Sequence, residues 1–506
     1  MKRAVSIVLT LVLVLSLFAG CGGQSETPAA DAPAADGTAT KAITVALSSV
    51  GNNLDPSVAN QMDIGTIMGH VYDNLIECDE NFALQPGVAA SWEQTDELTY
   101  VFTIGEGFVF HNGEELEMED VLYSITRLEN IAQTASLYAK MDSVSIEDNK
   151  LIITTKEADT GFIRELSEVP VVNKSYCEEA GEAYANAPVG TGPYTVADYT
   201  PGEKVVLSAW ADYPGGKAAI DTITFQAIED TATRFMAVEA GDAHFSAVAS
   251  TDYERAQGNE ALTFYEGDTT TTAFVSMNTQ AAPFDDVRVR QAMAYAYNTE
   301  GYLAVKGTNF YTIDSMFPNM TEYYNASEYA IKYDLEKAKA LLEEAGYNES
   351  NPLTFTIALY NDDPVMQAYQ ADLASIGVQV EMEVQEFGVF LDNMANQNFQ
   401  MLTGSWGDTT GNPLTAAECY WSGSFGSQNI SFYENARCDE LYDIAKTSAD
   451  SAEVVSACQE IQDIAWQDCP MFPTFGRTEG YAYAKELTGV VIYPSGTLSF
   501  RNADLG

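Results

Sequence analysis

Residues 353–384 read LTFTIALYNDDPVMQAYQADLASIGVQVEMEV, and their spacing decides the fold class. Leu353 to Leu359 is a short β-rich run with the length of a strand. Pro364 to Ser375 has helical spacing, and a proline is tolerated in a first helical turn. Val378, Val380, Met382 and Val384 then alternate with Gln379, Glu381, Glu383 and Gln385, which is strand periodicity. Strand, helix and strand at this spacing make a βαβ unit. Just upstream, Asp334 can cap a helix from Leu335 to Ala345, with Gly346 where a left-handed residue ends it. Asp286 can cap another from Val287 to Tyr297. Downstream, helices near Cys438 to Thr447 and Glu453 to Trp466 precede a proline-rich stretch at Pro470 and Pro473. In the first half, Ile43 to Leu47 and Leu98 to Ile104 read as strands and Glu117 to Leu128 as a helix. Ser143 to Ile146 and Leu151 to Thr155 read as a hairpin around Asp148-Asn149. The expected class is α/β, without internal repeats.

The N-terminus is of a different kind. Lys2 and Arg3 precede an apolar run, Ala4 to Phe18. A membrane span needs about 20 apolar residues, so this run has the size of a secretory core instead. It ends in Leu17-Phe18-Ala19-Gly20-Cys21, which resembles a bacterial lipobox, although Phe18 stands where leucine is usual. Residues 1–20 are therefore expected to be a lipoprotein signal peptide, and Cys21 the lipidated residue. Residues 21–41 carry Ala, Gly, Pro, Ser and Thr but no large apolar side chain. Such a segment cannot offset its ordering entropy by burial, and it reads as a tether. The body is expected outside the cytoplasm, anchored to the bacterial membrane through lipid on Cys21.

Composition narrows the partners. The formal charge is −50, which opposes binding to nucleic acid phosphates. It equally opposes adhesion to anionic lipid by charge alone, and it favours neutral or cationic ligands. Seven cysteines include no C-x-x-C pair, so zinc and redox motifs are disfavoured. Cys419 and Cys438 flank a Gly/Ser/Asn-rich loop and are the candidate disulfide.

No catalyst is legible. His70, His111 and His244 are far apart, and no GxSxG elbow, Walker loop or complete dinucleotide fingerprint occurs. Asp285/Asp286 and Asp362/Asp363 read as caps and turns in so acidic a chain. No cofactor and no metal site are expected.

Several segments, taken in order, resemble the family 5 extracellular solute-binding proteins, which include oligopeptide, dipeptide and nickel binders. They are Tyr72-Asp73-Asn74-Leu75-Ile76, Leu84-Gln85-Pro86-Gly87-Val88-Ala89-Ala90-Ser91-Trp92, Phe108-Val109-Phe110-His111-Asn112-Gly113 and Glu119-Asp120-Val121. Gly190-Thr191-Gly192-Pro193-Tyr194, Pro283-Phe284-Asp285-Asp286-Val287-Arg288 and Ala338 to Tyr347 follow. The glycine-rich segment reads as a turn that needs positive φ and a fixed proline. The resemblance implies a periplasmic-binding-protein-like type II fold (cluster C), a bilobal clamshell with an additional domain. Lobe I would be built from 42–76, 189–275 and 481–506, the additional domain from 77–188, and lobe II from 276–480. Crossings near 275 and 481 would form the hinge. The implied function is the substrate-binding lipoprotein of an ABC importer, a monomer that captures a peptide or small solute and delivers it to a permease and ATPase complex. A sugar-binding relative or a transporter-independent surface sensor stays open as an alternative.

The resemblance also implies site residues. The family's cleft loop reads Gly-Trp-x-x-Asp, matched here by Gly404-Ser405-Trp406-Gly407-Asp408. Asp408 would pair with a ligand α-ammonium, and Trp406 would wall the pocket. Asn429 matches another cleft stretch. Tyr138 and the segment Phe274 to Met277 are placed by neighbourhood, and Asn53 to Pro56 sits where the family lines its cleft. No Lys or Arg lies between Lys339 and Arg437, so a short peptide held at both ends is not expected. A longer, cationic or neutral solute fits better. Residues 340–506 contain no histidine, which weighs against nickel.

Overall fold

A computed structural model describes residues 40–58 and 62–506. The expected signal peptide and Cys21 lie outside these residues. Two long strands organise the fold, Leu262–Met277 and Met471–Ala484. They run antiparallel through the middle of an 11-stranded sheet. On one side the second strand pairs with Phe245–Val248, and the sheet continues through Ala42–Leu47, Thr222–Ala227, Lys204–Ala209 and Tyr194–Thr200. On the other side the first strand pairs with Met401–Trp406, followed by Thr354–Leu359 and Gln379–Val384. Phe310–Thr312 pairs with the second long strand as an eleventh member. A separate four-stranded sheet lies within residues 89–155.

The expected βαβ unit is present. Thr354–Leu359 and Gln379–Val384 pair in parallel, joined by the helix Pro364–Ser375, whose first turn Asp363 caps. Asp286 and Asp334 accept from backbone N–H groups of the helices Val287–Tyr295 and Leu335–Glu344, and Gly346 has φ +95°. Asp148 and Asn149 both have positive φ between the strands Met141–Glu147 and Lys150–Thr155, which matches the twist of a tight hairpin.

One reading is extended and one needs correction. The proline-rich stretch at Pro470 and Pro473 opens the long strand Met471–Ala484. Pro473 stands opposite Phe274 where the register shifts, and proline is tolerated at such an irregularity because a ladder N–H is dispensable there. The glycines of Gly190-Thr191-Gly192 do not have positive φ. They are required by close approach: a Cβ on Gly190 would lie 2.1 Å from the Val71 carbonyl oxygen, and one on Gly192 2.6 Å from that of His70. Thr191 between them donates its hydroxyl to Asp73 at 2.9 Å.

The cores follow the sheet. One cluster joins Ile43, Val45, Phe225 and Phe245 to Leu498 and Phe500 of the C-terminal tail. His70 is fully buried there. Burial pushes its pKa down to about 3, and its neutral Nε2 accepts from Phe500 N at 2.8 Å. Residues 75–171 hold their own cluster around Tyr100, Phe102 and Phe162. Two further clusters pack on either side of the sheet formed by Thr354–Leu359 and Met401–Trp406.

The candidate disulfide is not formed; Cys419 and Cys438 are both free. Cys419 is fully buried, and its thiol donates to Thr415 O at 3.6 Å within its own turn. Cys438 is buried in the first turn of the helix Ala436–Thr447. Burial pushes its thiol up to about 12. Each thiol behaves as a small apolar core group. A disulfide would contribute about 2–4 kcal/mol. Reductant is therefore expected to leave the melting temperature unchanged, as differential scanning calorimetry can check.

Candidate functional site

The larger of the two register shifts between the long strands lies at a threonine run. Asp268 pairs with Thr478 and Thr272 with Gly476, so Thr269, Thr270 and Thr271 bulge opposite Arg477. Thr269 donates its hydroxyl to Arg477 O at 2.9 Å, which holds the bulge closed. Bulges of this kind bend a strand and re-aim its side chains. A crevice of about 340 Å³, open to solvent, lies beside it, lined by Thr270, Trp406, Asp408, Phe317 and Tyr323 among others.

Trp406 ends its strand at this crevice. Its ring centroid is 4.4 Å from that of Phe274. Phe274 is 4% exposed and lies over Gly404, where a Cβ would come within 2.7 Å of its ring. Phe274 therefore supports Trp406 from beneath instead of facing a ligand. Asp408 follows in the loop. Its Oδ1 accepts from the backbone N–H and the hydroxyl of Thr410, both at 3.1 Å. Burial raises its pKa, while the Thr410 and Asn412 donors and the nearby Arg164 charge pull it back. Among the described residues Asp408 forms no ion pair.

Arg164 was not legible as a site residue. It comes from the short helix Phe162–Glu165, and it places a guanidinium beside the Asp408 loop. Its Nη1 donates to Phe82 O at 2.7 Å and Thr410 O at 3.4 Å. It also lies beside the Tyr323 hydroxyl. Among the described residues no carboxylate pairs with it. Residues 340–436 carry no Lys or Arg, but tertiary packing brings a cation to this region from the 77–188 segment. Glu168 sits by Thr409 and Asp408. Around Asp408 the site carries two carboxylates and one guanidinium.

The same segment closes over the loop. Gly411, at φ +67°, lies under Phe82, where a Cβ would come within 2.7 Å of the Phe82 side chain. Thr160 bonds to Lys446 O through its N–H and to Ala445 O through its hydroxyl. These contacts span residues 82–165 and 408–446.

The other expected residues stand elsewhere. Asn429 is 0% exposed. Its Nδ2 donates to Trp421 O at 3.0 Å and Tyr433 O at 2.9 Å, and its Oδ1 accepts from Ser431 Oγ and Tyr433 N. Its hydrogen-bonding capacity is spent inside its own loop, so it has nothing left for a ligand. Asn429→Ala is expected to cost about 2 kcal/mol, because it strands buried partners. Urea unfolding measures this. Met277 is 0% exposed in the core. Tyr138 packs against the apolar core of residues 75–171. Asn53 Oδ1 accepts from Asp55 N at 2.7 Å and so caps its own turn, next to the ion pair of Asp55 with Arg127. None of these three lines the crevice.

Among the described residues no helix is long and apolar enough to cross a membrane. No three His, Cys, Asp or Glu side chains among them are grouped to hold a metal ion.

Comparison with known proteins agrees with this architecture. The family profile "Bacterial extracellular solute-binding proteins, family 5 Middle" matches residues 83–428. The glutathione-binding proteins GsiB of Shigella dysenteriae and Escherichia coli K12 are each 27% identical over 495 residues, covering 92% of this chain and 95% of theirs. Among solved structures, HbpA2 from Haemophilus parasuis is 23% identical with a TM-score of 0.86, covering 92% of this chain and 100% of its own. DppA from Helicobacter pylori, in complex with the peptide STSA, is 24% identical with a TM-score of 0.72, covering 92% of this chain and 98% of its own. The fold is the type II binding-protein fold, and the relatives are substrate-binding proteins of ABC transporters, not enzymes. This chain belongs to the bacterial extracellular solute-binding proteins of family 5.

Proposed function

We propose that the protein is the lipid-anchored receptor of an ABC importer and that it captures peptides by closing two lobes about the threonine bulge. The observation that carries this reading is a carboxylate and a guanidinium, Asp408 and Arg164, each without an ion-pair partner among the described residues, beside a crevice where two long strands cross. Both are half-buried, and a partly desolvated charge gains from a close counter-charge. A peptide supplies both counter-charges: its α-ammonium for Asp408, and a carboxylate or backbone carbonyl for Arg164. The names of the relatives, which include glutathione and peptide binders, support the same class.

Hinge motion follows from the sheet. Residues 262–268 and 478–484 belong with the strands around Ala42–Leu47, and residues 272–277 and 471–476 with Met401–Trp406. Lobe I is then 42–76, 189–275 and 481–506, lobe II is 276–480, and the additional domain is 77–188. The bulge lies a few residues before the crossings at 275 and 481. The closed state is favoured only by what a solute contacts on both sides. Lipid on Cys21 and the tether would hold this body near its permease and ATPase.

The test is mass spectrometry of solute carried through purification. An amine-bearing peptide released unaltered on denaturation is expected. A solute lacking any amine would remove the role given to Asp408.

A further inference from the structure

A second crevice adjoins the first along one face of the sheet. Trp406 pairs with Thr272, Thr272 with Gly476, and Gly476 with Tyr311. Directly paired residues share a face, so these four stand in a row across four adjacent strands. Neighbouring strands lie about 4.8 Å apart, and the row is therefore about 14 Å long. Trp406 marks the Asp408 end. Thr272, Gly476 and Tyr311 line a further crevice of about 360 Å³, also open to solvent. Phe317 and Pro318 border both spaces. Gly476 is needed for this shape, because a Cβ there would lie 2.4 Å from the Tyr311 ring. Any side chain would displace that ring and fill the floor of the trough.

The lining of this second space has a distinct chemistry. It offers the hydroxyls of Thr271, Thr272, Tyr311 and Thr312 and the amide of Asn319, interleaved with the apolar Ile313, Phe317 and Pro318, and among the described residues no Lys or Arg. Tyr311 stays a neutral donor, since burial and the nearby Asp268 push it up to about 12. Asp314 is the one carboxylate of the lining, and it accepts from the Tyr324 hydroxyl at 2.8 Å. An anionic group entering here would find no counter-charge and would face Asp314. An aliphatic group would strip water from hydroxyls and return no hydrogen bond. An uncharged group with several donors and acceptors satisfies the wall.

We propose that this trough is a second subsite of the binding crevice. It takes the hydroxyl- or amide-bearing, uncharged portion of a solute whose ammonium is held at Asp408. The inference rests on the peptide reading of Asp408 and names the class of group beyond it. Two sources supply that chemistry, a polar peptide side chain and a sugar attached to a peptide, and they can be separated.

The experiment is calorimetry on the full chain. The probes are trialanine, Ala-Asn-Ala, Ala-Glu-Ala, Ala-Lys-Ala, Ala-Ser-Ala with N-acetylglucosamine on the serine, and free di-N-acetylchitobiose. The asparagine peptide, the glycosylated peptide or both are expected to bind at least about tenfold tighter than trialanine, the worth of one or two hydrogen bonds. Which of the two gains identifies the source. Thr312→Val with Asn319→Ala, both at exposed positions of the trough lining and outside the threonine bulge, is expected to remove this preference and leave trialanine unchanged. Thr312→Trp, at an exposed rim position, is expected to do the same by occlusion and serves if the double variant does not fold. Equal affinities, a preference that survives both variants, or tightest binding of the glutamate or lysine peptide would overturn the subsite. If no peptide binds but the disaccharide does, and the variants abolish it, the ammonium reading falls while the subsite stands. If nothing binds, both fall.

Discussion

Asp408→Ala is expected to weaken peptide binding about 30-fold, close to 2 kcal/mol. That is the usual worth of a hydrogen bond to a charged group. The loop itself should survive, because the bonds lost are local ones, from Thr410 and the Asn412 backbone within the same turn. The same carboxylate predicts a pH dependence. Its pKa is raised by burial, so protonation begins above the ordinary aspartate value of about 3.9. A proton and an ammonium compete for one site, and only the ionised form pairs with the ammonium. Affinity should therefore fall as pH drops through that raised pKa. In Asp408→Asn the affinity should be low and flat across the same range. Calorimetry from neutral to mildly acidic pH measures both. An unchanged dissociation constant in Asp408→Ala would take Asp408 out of the site.

The second large effect concerns the C-terminal tail. Arg501 →Ala is expected to destabilise the protein by about 3–5 kcal/mol, the cost of stripping one partner from a buried pair. Arg501 Nη1 donates to Asp73 at 2.7 Å, Nε to Gly69 O at 2.6 Å, and Nη2 to Tyr72 O. Burial opposes its charge, but Asp73 and Glu77 hold its pKa above the ordinary value. Asp73 is 5% exposed, and without Arg501 it keeps only Thr191. Adding Asp73→Asn to the variant should recover part of the loss, because no buried charge is then stranded. The tail is also fixed by Leu498 N donating to Thr66 Oγ1 and Phe500 N donating to His70 Nε2. Residues 498–501 thus lock the chain's end onto the helix Met62–Met68 and the turn that follows it. Denaturant unfolding of both variants checks the sign and the size.

What could be read from the sequence was what is written locally. Capped helices at Asp286 and Asp334, the hairpin at Asp148-Asn149 and the βαβ unit of residues 353–384 depend on neighbours a few residues away. The two central strands do not. Leu262–Met277 contains a run of four threonines, and Met471–Ala484 contains Pro473, Gly476 and Gly480. Their extended state comes from pairing with each other and with three further strands, which no periodicity encodes. Trp406 and Asp408 were found through a matched loop, and the structure brings both to the crevice. Asn429 matched as well, but a residue type that binds ligands also ties loops, and only burial distinguishes the two. Arg164 had no local mark. It meets Asp408 through the packing of Phe82 on Gly411, a contact between distant parts of the chain.

Small-angle X-ray scattering of the full chain, with and without a saturating peptide, tests the account most directly. A smaller radius of gyration with peptide, and no such change in Asp408→Ala at the same peptide concentration, is the predicted result. One identical, peptide-indifferent profile for a wild-type protein that calorimetry shows to be loaded would contradict closure of two lobes about the threonine bulge.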